Sequence, residues 1–140
     1  MEDLVQQCKS RGLRNTKALR TILAILQDAT LPLSLQDLEA REDVMEACDR
    51  ATVFRILQRL EGIGLLRRLN FSHSGAKFSL NTGDNHKEYL ICRNCGLVKT
   101  LTICCPVHSM EESVAQETGF TNMAHELTFY GLCANCQEVD

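Results

Sequence analysis

The chain lacks any apolar run approaching the ~18 residues of a membrane span, and its N-terminus lacks the apolar core of a secretory signal peptide. It has no internal repeat beyond a paired cysteine motif and no low-complexity tract. It also lacks a positive charge excess: the net charge is −3 over 140 residues, which taken globally argues against a nucleic-acid partner. No nucleophile–base pair stands out, so no catalytic activity is expected. These absences predict a cytoplasmic, non-membrane protein that is not an enzyme. Hydrophobic content of 44% with 24% charged residues is ordinary for a folded chain, and the length suits one average domain or two small ones.

What the chain has is cysteine. Eight are present, and without a signal peptide reduced thiols and metal are a better expectation than disulfides. Cys92-x-x-Cys95 and Cys133-x-x-Cys136 share one spacing, follow apolar stretches and end in small polar turns. Thiolates at i and i+3 converge only on a tight turn, and two such turns complete a tetrahedron, the pattern of a structural four-cysteine Zn²⁺ site. Two disulfides or four unrelated buried thiols are the plainer alternatives.

The charge is unevenly spread. Residues 1–83 carry 12 Lys+Arg against 10 Asp+Glu, whereas residues 84–140 carry 3 against 8. That asymmetry divides a candidate binding half from a half with another partner. In the first half, Leu19, Ile22, Leu23 and Leu26 mark a helix over 16–27 with Thr16 as its cap. Ser34 and Asp37 form a capping box for a short helix ending near Ala40. A third helix begins near Asp49, has the apolar stripe Val53, Ile56, Leu57, Leu60, and ends at Gly62 and Gly64. Residues 65–71 and 77–80 read as two strands around a Ser-Gly turn. Three helices and a hairpin give the order of a winged helix-turn-helix. Asn81–Asn85 is linker-like. Beyond it, 86–92, 97–101 and 126–132 read as strands, and Met110–Thr118 as a helix packed through Met110 and Val114.

Two further constellations carry chemistry. Off the third helix's apolar stripe lie Thr52, Phe54, Arg55 and Gln58, a mixture suited to base edges and a thymine methyl. The alternative is that Phe54 packs inward and the arginines are simply solvated. Arg14 and Lys17, with Lys9, Arg11 and Arg20, would contact phosphates. So few phosphate contacts call for a dimer. The second constellation is His86 and Glu88, on one face of a strand, with His125 at the entry of the last strand and His108 before the last helix. Imidazole and carboxylate donors suit a second divalent cation: Zn²⁺ or Fe²⁺, with Mn²⁺ and Co²⁺ also admitted.

These residues resemble the ferric-uptake-regulator family of bacterial metal-responsive repressors. The resemblance runs through Gly12-Leu13-Arg14-x-Thr16-x-x-x-Arg20, Ala51-Thr52-Val53-Phe54-Arg55-x-Leu57, Leu60-x-x-x-Gly64-Leu65 and Leu90-Ile91-Cys92-x-x-Cys95-Gly96. Gly119-Phe120, His125 and Gly131-x-Cys133-x-x-Cys136 complete it. It implies an α+β chain, with a winged-helix DNA-binding domain over 1–83 and a small α/β dimerisation domain over 84–140 that holds the four-cysteine zinc. It implies a homodimer reading a palindromic double-stranded DNA operator, and DNA contacts at Phe54 and Arg55, where the family usually has Tyr in place of Phe54. It also implies a metal site at His86, Glu88 and His125, with His108 near its remaining ligand. The family's interdomain sensing site takes ligands where this chain has Leu31-Pro32-Leu33, Ser79, Lys87 and Tyr89, so that site is expected to be missing. The function expected is a metal-dependent repressor of metal-homeostasis genes. A redox regulator using Cys104 or Cys105, and an electron carrier with iron held by four thiolates, are the other readings.

Overall fold

A computed structural model describes residues 2–71, 75–81, 88–101, 106–121, 123, 125 and 127–137, without the side chains of Phe71 and His108. Two compact units result. One holds the chain up to Asn70 together with Gly75–Leu80, and the other holds Asn81 and the described residues after it.

The first unit opens with α1 (Glu2–Ser10), α2 (Lys17–Asp28), α3 (Leu35–Glu39), α4 (Glu42–Ala47) and α5 (Arg50–Gly62). Each expected cap forms. The Thr16 hydroxyl accepts from the Leu19 N–H at 3.1 Å, and Asp49 accepts from the Thr52 N–H at 2.8 Å. Ser34 and Asp37 exchange side-chain-to-backbone bonds of 3.0 and 2.9 Å, a full capping box. At the other end of α5, Leu65 N–H donates to Leu60 C=O at 3.0 Å and Gly64 N–H to Glu61 C=O at 3.1 Å. That Schellman closure puts Gly64 at φ +84°, where a Cβ would be strained.

The apolar stripes of α2 and α5 meet in one core. Leu19, Ile22, Leu23 and Leu26 are buried with Val53, Leu57 and Leu60, and Ile56 packs partly buried at the margin. Two elements of this unit escaped the sequence reading. The inward face of α1 is only Leu4, Val5 and Cys8, and that of α4 is Val44 alone, too little for a periodic signal. The wing is β1 (Leu66–Phe71) beside β2 (Gly75–Leu80), joined by a connection short enough to require antiparallel strands. Leu33 pairs with Phe78 through bonds of 2.9 and 2.7 Å, fastening the α2–α3 connection to the wing. Arg67, although charged, is buried in the wing. Arg68 faces outward, paired with Glu61 at 3.2 Å and lying 5.4 Å over the Phe78 ring.

The second unit is a three-stranded sheet ordered β4 (Val98–Leu101), β3 (Glu88–Cys92), β5 (Thr128–Gly131), with α6 (His108–Thr118) and the short α7 (Ala134–Gln137). Central β3 runs antiparallel to β4 and parallel to β5, with Tyr89 opposite Thr128 and Cys92 opposite Gly131. β5 begins at Thr128, two residues later than expected. Of the expected first strand, residues 86–87 lie outside the described residues. α6 does not pack through Met110 and Val114 as expected: they are 57% and 41% exposed. A stripe of two apolar residues finds no cover among the described residues of one chain, so it faces solvent.

Truncation should follow this division of faces. Leu57→Ala is expected to destabilise the first unit by about 2–5 kcal/mol through an unfilled cavity, and Asp49→Ala by about 1 kcal/mol through the lost cap. Phe54→Ala, on the outer face, should move stability by less than about 0.5 kcal/mol. Urea unfolding followed by circular dichroism measures all three.

Candidate metal centre and nucleic-acid interface

The strand ends bring the two cysteine pairs together. Cys92 closes β3 directly opposite Gly131, so the turn after β3 and the turn after β5 start side by side. Arg93 N–H donates to Gly131 C=O at 2.8 Å, and Cys92 N–H to Leu97 C=O at 2.8 Å. The first turn closes with Gly96 N–H on Cys92 C=O at 3.0 Å, Gly96 taking φ +80°. The second closes with Cys136 N–H on Cys133 C=O at 3.0 Å.

The four sulfurs of Cys92, Cys95, Cys133 and Cys136 lie within 4.8 Å of one another, the one such group of candidate metal ligands found among the described residues. Cys95 and Cys133 sulfurs are 3.7 Å apart. A disulfide needs about 2.05 Å, whereas the edge of a ZnS₄ tetrahedron with 2.3 Å bonds is about 3.8 Å. The geometry therefore fits a tetrahedral metal and excludes a bond between these two sulfurs.

Backbone and side-chain donors are aimed at the sulfurs. Cys95 N–H and Cys133 N–H approach Cys92 Sγ at 3.5 and 3.4 Å, and the Asn94 amide approaches Cys136 Sγ at 3.3 Å. The two N–H groups hold the Cys92 thiol down to about 5. Cys136 gains from the Asn94 amide, but its sulfur neighbours, Cys133 foremost, push it up to about 11. Without a cation the cluster therefore keeps protons at neutral pH that a divalent metal has to displace.

The other expected ligands are partly placed. Glu88, the first residue of β3, is buried at 1% exposure. His125 is in contact with Glu111 of α6, Nδ1 against Oε1, with both side chains largely buried at 17% and 21% exposure. His86, Cys104 and Cys105 lie outside the described residues, as does the side chain of His108. Glu111 was missed in the sequence, although it follows His108 by one helical turn and so shares its face. At the positions of the family's interdomain ligands, Leu33 is spent on the bridge to Phe78, and Ser79 and Tyr89 are buried.

On the first unit, α5 turns Phe54, Arg55 and Gln58 outward, with Phe54 46% exposed, so this ring does not pack inward. Arg55 donates to the Thr52 hydroxyl at 3.1 Å. Arg14, Thr52, Arg55 and Gln58 line one groove between α5 and the α1–α2 connection, a cavity of about 970 Å³. Phe54 and Lys17 stand outside that lining, both exposed. Arg59 donates to Gly12 C=O at 3.3 Å and Arg11 to Ile63 C=O at 2.9 Å, pinning the connection to α5. Arg20 is engaged by the Asn15 side chain at 2.8 Å.

The profile of the ferric uptake regulator family matches residues 10–130. The chain belongs to the ferric uptake regulator family. It is 36% identical over 135 residues to the ferric uptake regulation protein of Bordetella parapertussis, covering 94% of this chain and 95% of that one. It is 37% identical over 128 residues to that of Cupriavidus metallidurans, covering 89% and 87%. Among solved structures, the ferric uptake regulator of Pseudomonas aeruginosa with manganese superposes with a TM-score of 0.67 at 26% identity, covering 92% of this chain and 96% of that one. Membership makes the chain a metal-binding, DNA-binding transcriptional regulator of metal homeostasis, and its winged-helix unit and sheet unit match the family's fold, with a four-cysteine cluster of this chain that fits a zinc site.

The thiolate cluster yields a pH prediction with a definite sign. Holding a cation requires thiolates, so protons compete, and apparent Zn²⁺ affinity should rise with pH through neutrality. Acidification should release the metal, most steeply where Cys92 also takes up its proton, near 5. Release followed with a chromogenic chelator measures this. Cys133→Ser should lower the zinc content of the purified chain and loosen its second unit at neutral pH.

Proposed function

We propose that this chain is a metal-dependent repressor of metal-homeostasis genes, acting as a homodimer that reads a palindromic double-stranded operator through α5. The observation that carries the reading is the two-faced α5. Val53, Leu57 and Leu60 are fully committed to the core, while Phe54, Arg55 and Gln58 stand in solvent beside a groove that also holds Arg14 and Thr52. A helix held that way can enter a major groove with Arg55 and Gln58 aimed at base edges and Phe54 at a thymine methyl. Arg14 and Lys17 would take phosphates and fix the register. The wing, with Arg68 outward, lies in the same unit.

The second unit supplies the dimer in this reading, and the division between the domains falls in the linker around residues 83–84. Among the described residues, eight of the eleven exposed large apolar side chains lie in this unit: Leu90, Leu97, Met110, Val114, Phe120, Phe129, Tyr130 and Leu132. Apolar surface on that scale calls for a partner, and a second copy is the one whose symmetry matches a palindrome. Cys92, Cys95, Cys133 and Cys136 hold a structural Zn²⁺ with every coordination position filled, which suits a clamp rather than a sensor.

Sensing is then left to His86, Glu88, His108 and His125, whose donors suit Zn²⁺ or Fe²⁺, and Mn²⁺ too. Support comes from the depth of Glu88, since a carboxylate so buried ordinarily sits beside a counter-charge or a metal. Sequence count agrees: His86 precedes Tyr89 by three residues and His125 precedes its pairing partner Thr128 by three. A bound cation contributes positive charge that these side chains share. Regulation requires only that they hold it more tightly in the DNA-competent arrangement than in any other.

Arg55→Ala is expected to weaken operator binding by about 1–3 kcal/mol and to relax preference at one base pair. Lys17→Ala should weaken all sequences alike and reduce the salt slope by about 1. Fluorescence-anisotropy titrations across a salt series separate the two. An Arg55→Ala protein with unchanged affinity and preference would remove α5 as the reading helix.

A further inference from the structure

Glu111 has no assigned part in any of this, yet its side chain meets that of His125, Oε1 against Nδ1. The pair joins α6 to the segment entering β5, and it is sheltered: 17% of the His125 side chain and 21% of the Glu111 side chain remain exposed. An exposed ion pair contributes little and holds neither partner in place. A sheltered carboxylate on one ring nitrogen does more, because it decides which tautomer the imidazole adopts.

We propose that Glu111 is a positioning residue of the second metal centre, holding His125 so that Nε2 is the nitrogen presented to the cation. The inference rests on the reading of His125 as a metal ligand given above. Neutral imidazole has one N–H and one lone-pair nitrogen. With Nδ1–H donated to the Glu111 carboxylate, the lone pair resides on Nε2 and points away from α6. The carboxylate also brings a negative charge toward a site that has to stabilise a divalent cation. Partners of this kind change metal affinity by about 10–100-fold in other centres. Glu111 lies on α6, three positions after His108 in the sequence. A simple tie between α6 and β5 is the competing role, and it predicts a change in folding without a change in tautomer.

The test uses the full chain with its four-cysteine zinc retained, and compares the parent with Glu111→Ala, Glu111→Gln and His125→Ala. Binding of a further Zn²⁺ or Co²⁺ is titrated against a competing chelator. The His125 tautomer is read by ¹⁵N NMR before the second cation is added. The parent should bind one cation beyond the zinc and show Nδ1–H. His125→Ala should lose that cation. Glu111→Ala should bind it about 10–100-fold more weakly and shift toward Nε2–H. Glu111→Gln should fall between, since its amide oxygen still accepts from Nδ1–H; if the alanine variant loses its zinc, the glutamine variant carries the comparison. Equal affinity and tautomer in parent and Glu111→Ala would overturn the proposal. A Glu111→Gln variant as impaired as His125→Ala would overturn it too, making Glu111 a ligand itself. A parent that takes no second cation would instead bring down the reading of the centre, and the proposal with it.

Discussion

Four sulfurs gathered within 4.8 Å of one another are the constraint on which the C-terminal unit depends. Three apolar side chains are buried in it among the described residues, those of Tyr89, Ile91 and Cys92. At about 1.5–3 kcal/mol each, they contribute less than the about 10–16 kcal/mol that a structural zinc typically contributes to folding. The sheet and the cluster are coupled through their register. Cys92 opposite Gly131 sets the two turns side by side, and a slip of one residue in that parallel pairing would separate them. The same economy leaves Leu90, Phe129, Tyr130 and Leu132 in solvent, a surface a second copy can use. A unit held together by metal can spend its apolar residues on a partner.

The N-terminal unit solves the opposite problem. Its core is ample, so α5 can give one face to Leu19, Ile22 and Leu23 and leave the other, with Phe54, Arg55 and Gln58, in solvent. Caps and closures fix where that helix begins and ends: Asp49 at its start, the Leu60–Leu65 closure at its end. Arg11 and Arg59 then lock the α1–α2 connection against it, which brings Arg14 into the same groove as Arg55. Two arginines that look alike in sequence thus do different jobs, Arg59 bracing the scaffold and Arg55 facing out. The same holds in the wing, where Arg67 is buried and Arg68 is presented.

How much of this was legible in the sequence follows the strength of the local signals. Thr16, Ser34 with Asp37, and Asp49 announced their helices because capping is short-range chemistry. The stripes of α2 and α5 announced theirs because four apolar residues repeat at helical spacing. α1 and α4 bury three residues and one, so no period was there to find. The four-cysteine cluster was legible because i and i+3 thiols fold on a turn without outside help. Glu111 was not, because its meeting with His125 depends on how α6 lies against the entry to β5, which no local pattern encodes. Met110 and Val114 misled for the same reason: an apolar pair at i and i+4 says that a face will be covered, not by which chain.

In the function proposed above the thiolate cluster is a clamp, and His86, Glu88, His108 and His125 are the sensor. The most direct measurement is the operator affinity of the His86→Ala, His125→Ala double variant against the parent, each with its four-cysteine zinc retained, with and without Zn²⁺, Fe²⁺ and Mn²⁺. The account predicts that the parent tightens when its effective metal is added, while the variant stays folded, keeps its zinc and no longer responds. A variant that binds as tightly and as metal-dependently as the parent would contradict it.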